Sequence, residues 1–291
     1  FTIPSIFRAY GDYKLPVYIY LTALSEFFFG LNAFAVRLSS VLAGIGTVIF
    51  TYLLVKELFK NRQLAIISSL LVSIEPWSLF VSRGAFEANL ALFFIVSGVY
   101  FFLRGLHTSY FLLLTSLFLG LSVWTYNSAR IFVPLLMFVI FLIYKKDLLT
   151  IFKKNKKLTA CYLLLTAFFF VPMFYQLLNP VGQARYGEVA IIDEGAIAQI
   201  IEARQNSSFS PQVSRILYNR PVYFTQRFIT NWASHFTCSF LFFKGGSHYQ
   251  FSVQGHGLMY LVNLPFFFLG LILLLKRTFN RDRVSILLLS W

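Results

Sequence analysis

The chain has 291 residues, of which 58% are hydrophobic, 19% aromatic and only 12% charged, with a mean hydropathy of +0.70. That balance excludes an ordinary soluble domain and predicts an all-α, polytopic membrane protein, because a spanning helix needs roughly 20 apolar residues and several runs approach that length. The formal charge of +14 comes from bases scattered between apolar runs, so positive-inside topology accounts for it and no nucleic-acid partner is implied.

The first stretch of note is Phe7 to Tyr20, which places Arg8, Asp12 and Lys14 within seven positions of a charge-poor chain. Gly11 permits a sharp turn and Pro16 marks a boundary, so Lys14 is expected in a bent segment. Val17 to Phe29 runs apolar and aromatic, as a helix lying at a membrane surface does. An acid and two bases there suit an anionic lipid headgroup; an interfacial anchor accounts for the same residue types.

Seven apolar segments follow: Leu38–Leu58, Leu64–Val81, Ala85–Leu103, Tyr110–Trp124, Ile131–Tyr144, Leu158–Leu178 and Leu258–Leu275. The basic connections Lys145–Lys157 and Lys276–Arg283 are read as cytoplasmic, and alternation then puts Lys56, Lys60, Arg62, Arg104 and His107 on the same side. Residues 1–37 (a loop and an interfacial helix), the turns Glu75–Arg83 and Tyr126–Arg130, and the long connection 179–257 fall outside. Such a long connection is usually functional or separately ordered. It offers Gln199–Glu202 and Val213–Phe228 as helical candidates. Pro221 divides the second, which carries Arg215, Arg220 and Arg227, and Asn206-Ser-Ser fits a glycosylation acceptor. Strands are not expected, since isolated strands leave backbone groups unpaired in lipid. The chain reads as a single domain over 1–291, truncated at both ends: it begins at Phe1 without a signal-peptide pattern and stops a few residues into the apolar run Val284–Leu289.

Chemistry concentrates on the outer turns. Arg83 and Glu87 are four apart, as on one helix face, and Glu87 lies about a turn into an apolar segment, where an ionisable group is costly. A structural ion pair is the plain alternative. Glu75 adds an acid at the same depth. Thr125-Tyr126-Asn127-Ser128-Ala129-Arg130 joins two spans. Arg130 opens its helix at the positive end of the dipole, which an intervening anion explains and a snorkelling side chain also satisfies. The glycines of Lys244-Gly245-Gly246-Ser247 suggest a flexible rim, with His248 and His256 as sugar-binding or acid–base candidates. Cys161 and Cys238 show no disulfide framework, and Cys161 reads as a packing residue. No metal-ligand spacing, phosphate loop, dinucleotide fingerprint or serine elbow is present. No cofactor is assigned, and a divalent metal stays open.

Three stretches carry a resemblance: Arg8-Ala-Tyr-Gly-Asp-Tyr-Lys-Leu-Pro-Val-Tyr-Ile-Tyr, then Phe29-Gly-Leu-Asn-Ala-Phe-Ala-Val-Arg37-Leu, then Ser82-Arg83-Gly-Ala-Phe-Glu87. Together they resemble GT-C membrane glycosyltransferases, in the branch of protein mannosyltransferases and lipid A aminoarabinose transferases. Lys14-Leu-Pro stands where that family has Lys-Pro-Pro. The resemblance implies inverting transfer of a hexosyl or pentosyl group from a polyprenyl-phosphate donor to a glycan, lipid or protein acceptor. It also implies a multi-pass plasma-membrane enzyme working on the non-cytoplasmic face. The family's main catalytic acid lies just after its first span, in a region that would precede Phe1. The expected roles here are Asp12 and Glu87 as carboxylate bases and Lys14, Arg83 and Arg130 on the donor phosphate. Arg8, Tyr126, Asn127 and His256 are expected to touch substrate. A transporter or lipid flippase is the competing class, but it would place charge near the midplane, in repeats that are not evident.

Overall fold

A computed structural model describes residues 4–9, 12–188 and 190–291. The chain is mainly helical, with one exception to the all-α expectation. Phe7–Ala9 (β1) and Asp12–Lys14 (β2) pair antiparallel, Phe7 opposite Lys14 and Arg8 opposite Tyr13. The strands satisfy one another outside any apolar run, so the lipid argument against strands does not reach them. The expected turn at Gly11 lies outside the described residues.

Short polar residues start most of the helices. Pro16 sits in the first turn of α1 (Pro16–Phe29), where its missing N–H and fixed φ suit a helix start. Asn32 caps α2 (Ala33–Phe59) by accepting from Ala35 N, and Asn61 caps α3 (Arg62–Ile74) by accepting from Leu64 N. A helix α4 (Pro76–Arg83) follows, then α5 (Glu87–His107), α6 (Phe111–Val123), α7 (Ala129–Lys154) and α8 (Lys156–Leu177). The remainder is α9 (Pro180–Glu188), α10 (Glu194–Gln205), α11 (Pro211–Leu217), α12 (Arg220–Ser234), α13 (Leu264–Phe279) and α14 (Arg283–Ser290). The stretch Val213–Phe228 is divided as expected, with the break between α11 and α12 at Tyr218–Asn219 and Pro221 in the first turn of α12.

Among the described residues, four helical stretches are long and apolar enough to cross a membrane: Ala33–Phe59, Glu87–His107, Lys156–Leu177 and Leu261–Phe279. The expected span Leu64–Val81 is instead two helices, α3 and α4, bent by 57° at Glu75–Pro76. Glu75 takes an extended ψ of 138° ahead of the proline, a conformation the pre-proline position favours. The pair counts as a fifth span if taken as one. The segment Tyr110–Trp124 becomes α6, whose 13 residues extend only about 20 Å, short of a hydrocarbon core of about 30 Å. The fifth segment, Ile131–Tyr144, forms the first part of α7, whose Arg130 and Lys145–Lys146 interrupt its apolar character.

The core is built around α5, which packs between α2 and α6. Gly98 and Gly105 let α6 approach it closely, because a Cβ on either would lie 2.6 Å from the side chain of Leu119 or Leu112. Buried polar side chains bind across the seams: Asn89 Nδ2 donates to Ser40 O at 2.8 Å, and Ser40 Oγ donates to Val81 O at 3.0 Å. The basic residues collect at the far end of α5, where Lys60, Arg104 and His107 surround Glu57.

Candidate active site

Glu87 and Arg130 open α5 and α7, and the hairpin carries Lys14 to the same end of the bundle. Leu15, 2% exposed, anchors the passage from β2 to α1, and Val17 N donates to Trp124 O at 3.2 Å. Lys14 is thereby fixed beside the α6–α7 turn, and its Nζ donates to Glu87 Oε1 at 2.8 Å. Glu87 in the first turn of α5 also lies where the helix dipole favours an anion. Their side chains are 39% and 21% exposed. The pair is dry enough to be held and wet enough for a ligand to reach. Among the described residues, Glu87 Oε2 accepts no hydrogen bond.

The pairing corrects one expectation. Arg83 ends α4, Glu87 begins α5, and Gly84-Ala85-Phe86 separates them, so the two do not share a helix face or form an ion pair. Arg83 lies with Arg37 on a cavity of about 550 Å³ walled by Pro76, Leu79, Phe80, Phe86 and Val253.

Arg130 is the least expected part of the site. Only 1% of it is exposed, which rules out the snorkelling alternative. Its Nε donates to Val123 O at 3.3 Å, its Nη2 donates to Gln176 Oε1, and its guanidinium carbon lies 5.7 Å from the centre of the Trp124 ring. Nη1 is buried with no hydrogen-bond partner. A buried guanidinium lacking a carboxylate is expensive, since desolvating a charge costs several kcal/mol unless it is paired. The N-terminal position in α7 worsens this, because the helix dipole there repels a cation. An anion beside Nη1 relieves both costs.

Asn127 ties the parts together. Its Nδ2 donates to Tyr13 O at 3.4 Å, and its main-chain O accepts from the Tyr186 hydroxyl at 3.0 Å. Burial raises the pKa of that phenol, and the charge of Arg130 opposes the rise. Tyr18, whose hydroxyl donates to Val36 O at 3.1 Å, is pushed up to about 12 by burial and then by the negative charge of Glu87.

The other candidates are less integrated. Tyr126 is half-buried in the α6–α7 turn, and Arg8 is exposed on β1. Asp12 opens β2, but its side chain lies outside the described residues. His256 is exposed and bonds within its own turn, its Nδ1 3.1 Å from Gln254 O. The rim around it is not loose as the glycines suggested. Gly245 has φ +67°, and a Cβ there would lie 2.4 Å from His256 O, so the residue permits a tight closure. Among the described residues no group of three or more His, Cys, Asp or Glu is placed to hold a metal.

Residues 14–175, more than half of the chain, match the family model for dolichyl-phosphate-mannose-protein mannosyltransferase. The chain belongs to that family. No curated protein and no solved structure matches it. Membership makes the protein a membrane glycosyltransferase of the GT-C type, mannosyltransferase-like, and decides against the transporter reading. The matched region contains Lys14, Glu87, Asn127 and Arg130 and reaches almost to Gln176, whose part the sequence analysis missed. A lone amide near the end of an otherwise apolar span was the available signal. Tyr186, in a polar connection, gave none.

Proposed function

We propose that this mannosyltransferase-family protein transfers a sugar from a polyprenyl-phosphate donor to an acceptor hydroxyl at the Lys14–Glu87–Arg130 end of the bundle. We place that end on the non-cytoplasmic side. The reading rests above all on the unpartnered Nη1 of buried Arg130, at the same end of the bundle as a lysine that is already oriented. Lys14 supplies a compact ammonium and Arg130 a planar fork, both suited to phosphate oxygens. As the C1–O bond to phosphate breaks, negative charge grows on the departing lipid phosphate, and the two cations stabilise it as it forms. The acceptor oxygen bonds C1 from the opposite face, inverting it, and gives up its proton to a carboxylate. Glu87 uses Oε1 to hold Lys14, and Oε2 is open to that proton; Asp12, two residues from Lys14, is the other candidate. Arg83, which lines a cavity with Arg37, remains a further candidate for the donor phosphate. Arg8, Tyr126 and His256 remain candidates for sugar or acceptor contacts.

The test supplies the full-length protein in membrane vesicles with polyprenyl-phosphate sugars or with nucleotide sugars. Transfer from the lipid donors alone is expected, with Lys14→Ala reducing it about ten- to a hundredfold through loss of a charge-assisted contact. Transfer from nucleotide sugars in place of lipid donors overturns the reading. Sidedness is tested with single cysteines at Lys154 and Ser207 in a background lacking Cys161 and Cys238. An impermeant thiol reagent added to intact cells should label position 207, whereas labelling of 154 alone reverses the orientation.

A further inference from the structure

Helix α12 is turned the opposite way from a helix packed in water. At 3.6 residues per turn, Phe224, Phe228, Ile229 and Trp232 fall on one side, while Tyr223, Gln226, Arg227 and Thr230 fall on the other. The polar side faces the protein. Tyr223 Oη donates to Gln199 Oε1 of α10 at 2.9 Å, and Arg227 Nη2 donates to the same oxygen at 3.1 Å. The apolar side faces outward: Phe224, Phe228, Ile229 and Trp232 are 44, 53, 55 and 60% exposed, and no residue of the helix is buried. The rings of Phe224 and Phe228 stack with centroids 6.1 Å apart, and those of Trp232 and Phe236 lie 4.8 Å apart, making one continuous aromatic ridge.

This helix is not among those apolar enough to span a membrane, so the ridge is not the lipid-facing side of a span. Charge identifies its occupant. From Gln205 to Gly257 the sequence has Arg215, Arg220, Arg227 and Lys244 and not one Asp or Glu. Arg215 and Arg220 are exposed and form no ion pair among the described residues. We propose that α12 lies in the plane of the bilayer interface, with its ridge in the headgroup–acyl boundary and Arg215 and Arg220 on lipid phosphates. A strong apolar face, flanking arginines and a tryptophan are the features of such interfacial helices, and trapped phosphate would satisfy arginines that the protein leaves without acids. The helix would thereby fix the height of the long connection 179–257 above the membrane, through a contact other than the proposed donor site.

The experiment attaches an environment-sensitive fluorophore to single cysteines at Phe228, Trp232 or Gln226. It uses the full-length protein with Cys161 and Cys238, both exposed, replaced by serine, reconstituted in phosphatidylglycerol-containing vesicles. Brominated lipid and aqueous iodide serve as quenchers. Several-fold stronger lipid quenching at 228 and 232 than at 226, with protection from iodide, is expected. Free access of iodide to 228 and 232 overturns the proposal. Protection from both quenchers overturns it too, because another protein segment or a second copy then covers the ridge. Should the labelled proteins fail a size-exclusion check, the unlabelled variants Phe228→Ser and Trp232→Ser give a second reading. The proposal expects faster tryptic cleavage at Arg215 and Arg227 in vesicles but not in detergent, and unchanged cleavage in vesicles contradicts it.

Discussion

The two ends of α5 use similar residues and differ in what they leave unpaired. At the far end, Glu57 takes Lys60 at 2.5 Å, His107 at 3.5 Å and Arg104 at 3.8 Å. The three bases are 66, 67 and 43% exposed, so water can serve most of what the carboxylate does not; Nε of Arg104 is buried without a partner, but the side chain that carries it reaches solvent. Cations at a helix C-terminus also complement its dipole. Nothing there calls for a ligand. At the near end, Glu87 holds Lys14, but Arg130 is shut away from water, set against its helix dipole and short of an acceptor. A charge count alone would rank the basic end as the binding surface. Burial and pairing select the other one.

Matched substitutions on the two acids give the largest expected contrast. In the full-length protein, Glu87→Gln should lower turnover by about 10²–10⁴-fold if the carboxylate takes the acceptor proton. Glu57→Gln should leave turnover unchanged, even though it removes a largely buried carboxylate from three bases. Near-normal turnover in Glu87→Gln would remove that residue from the chemistry, whatever its melting temperature.

Arg130 sharpens the contrast next. Arg130→Lys keeps a charge but loses the fork, and a donor affinity weaker by about ten- to a hundredfold is expected. Gln176→Met removes the acceptor that orients Nη2 and should weaken donor binding less, by about tenfold, on the same scale. If Gln176→Met weakens binding more than Arg130→Lys, the amide touches the donor itself and Arg130 is its support.

The segment whose geometry was hardest to read from the sequence is also the one the site depends on. Most of the apolar helices and the division of Val213–Phe228 near Pro221 were legible because hydrophobic runs and proline signals act over a few residues. Lys14, Glu87, Asn127 and Arg130 were legible as charged or amide residues beside apolar runs, where their cost demands an explanation. Their partners were not. Four-residue spacing joined Glu87 to Arg83, but a break of three residues dissolved that face, and the true partner came from 73 positions away. Contacts between segments so distant depend on how helices pack, which local patterns do not encode. Similarly, Glu75–Pro76 reads as one more turn boundary in an apolar run, and only the packing shows the 57° bend.

A smaller effect tests whether burial, with Glu87 nearby, holds the Tyr18 phenol neutral. Tyr18→Phe removes the bond to Val36 O and should cost about 1 kcal/mol near neutral pH. The wild-type phenol is raised from 10.0 to about 12, so the folded chain holds its proton where the unfolded chain releases it. Its contribution is therefore complete below pH 10 and is lost as pH rises toward about 12. The deficit of Tyr18→Phe should shrink across that window in paired unfolding measurements. A constant deficit would mean that the phenol is not held neutral by its burial and by Glu87.

The central claim is that the near end of α5 is a phosphate site. Its most direct test is binding of a polyprenyl monophosphate, carrying no sugar, to the full-length protein and to Lys14→Ala, Arg130→Ala and Arg104→Ala, with folding checked on each. Losses of about ten- to a hundredfold are expected for Lys14→Ala and Arg130→Ala, with wild-type affinity in Arg104→Ala. Wild-type affinity in the first two, or an equal loss in all three, would contradict it.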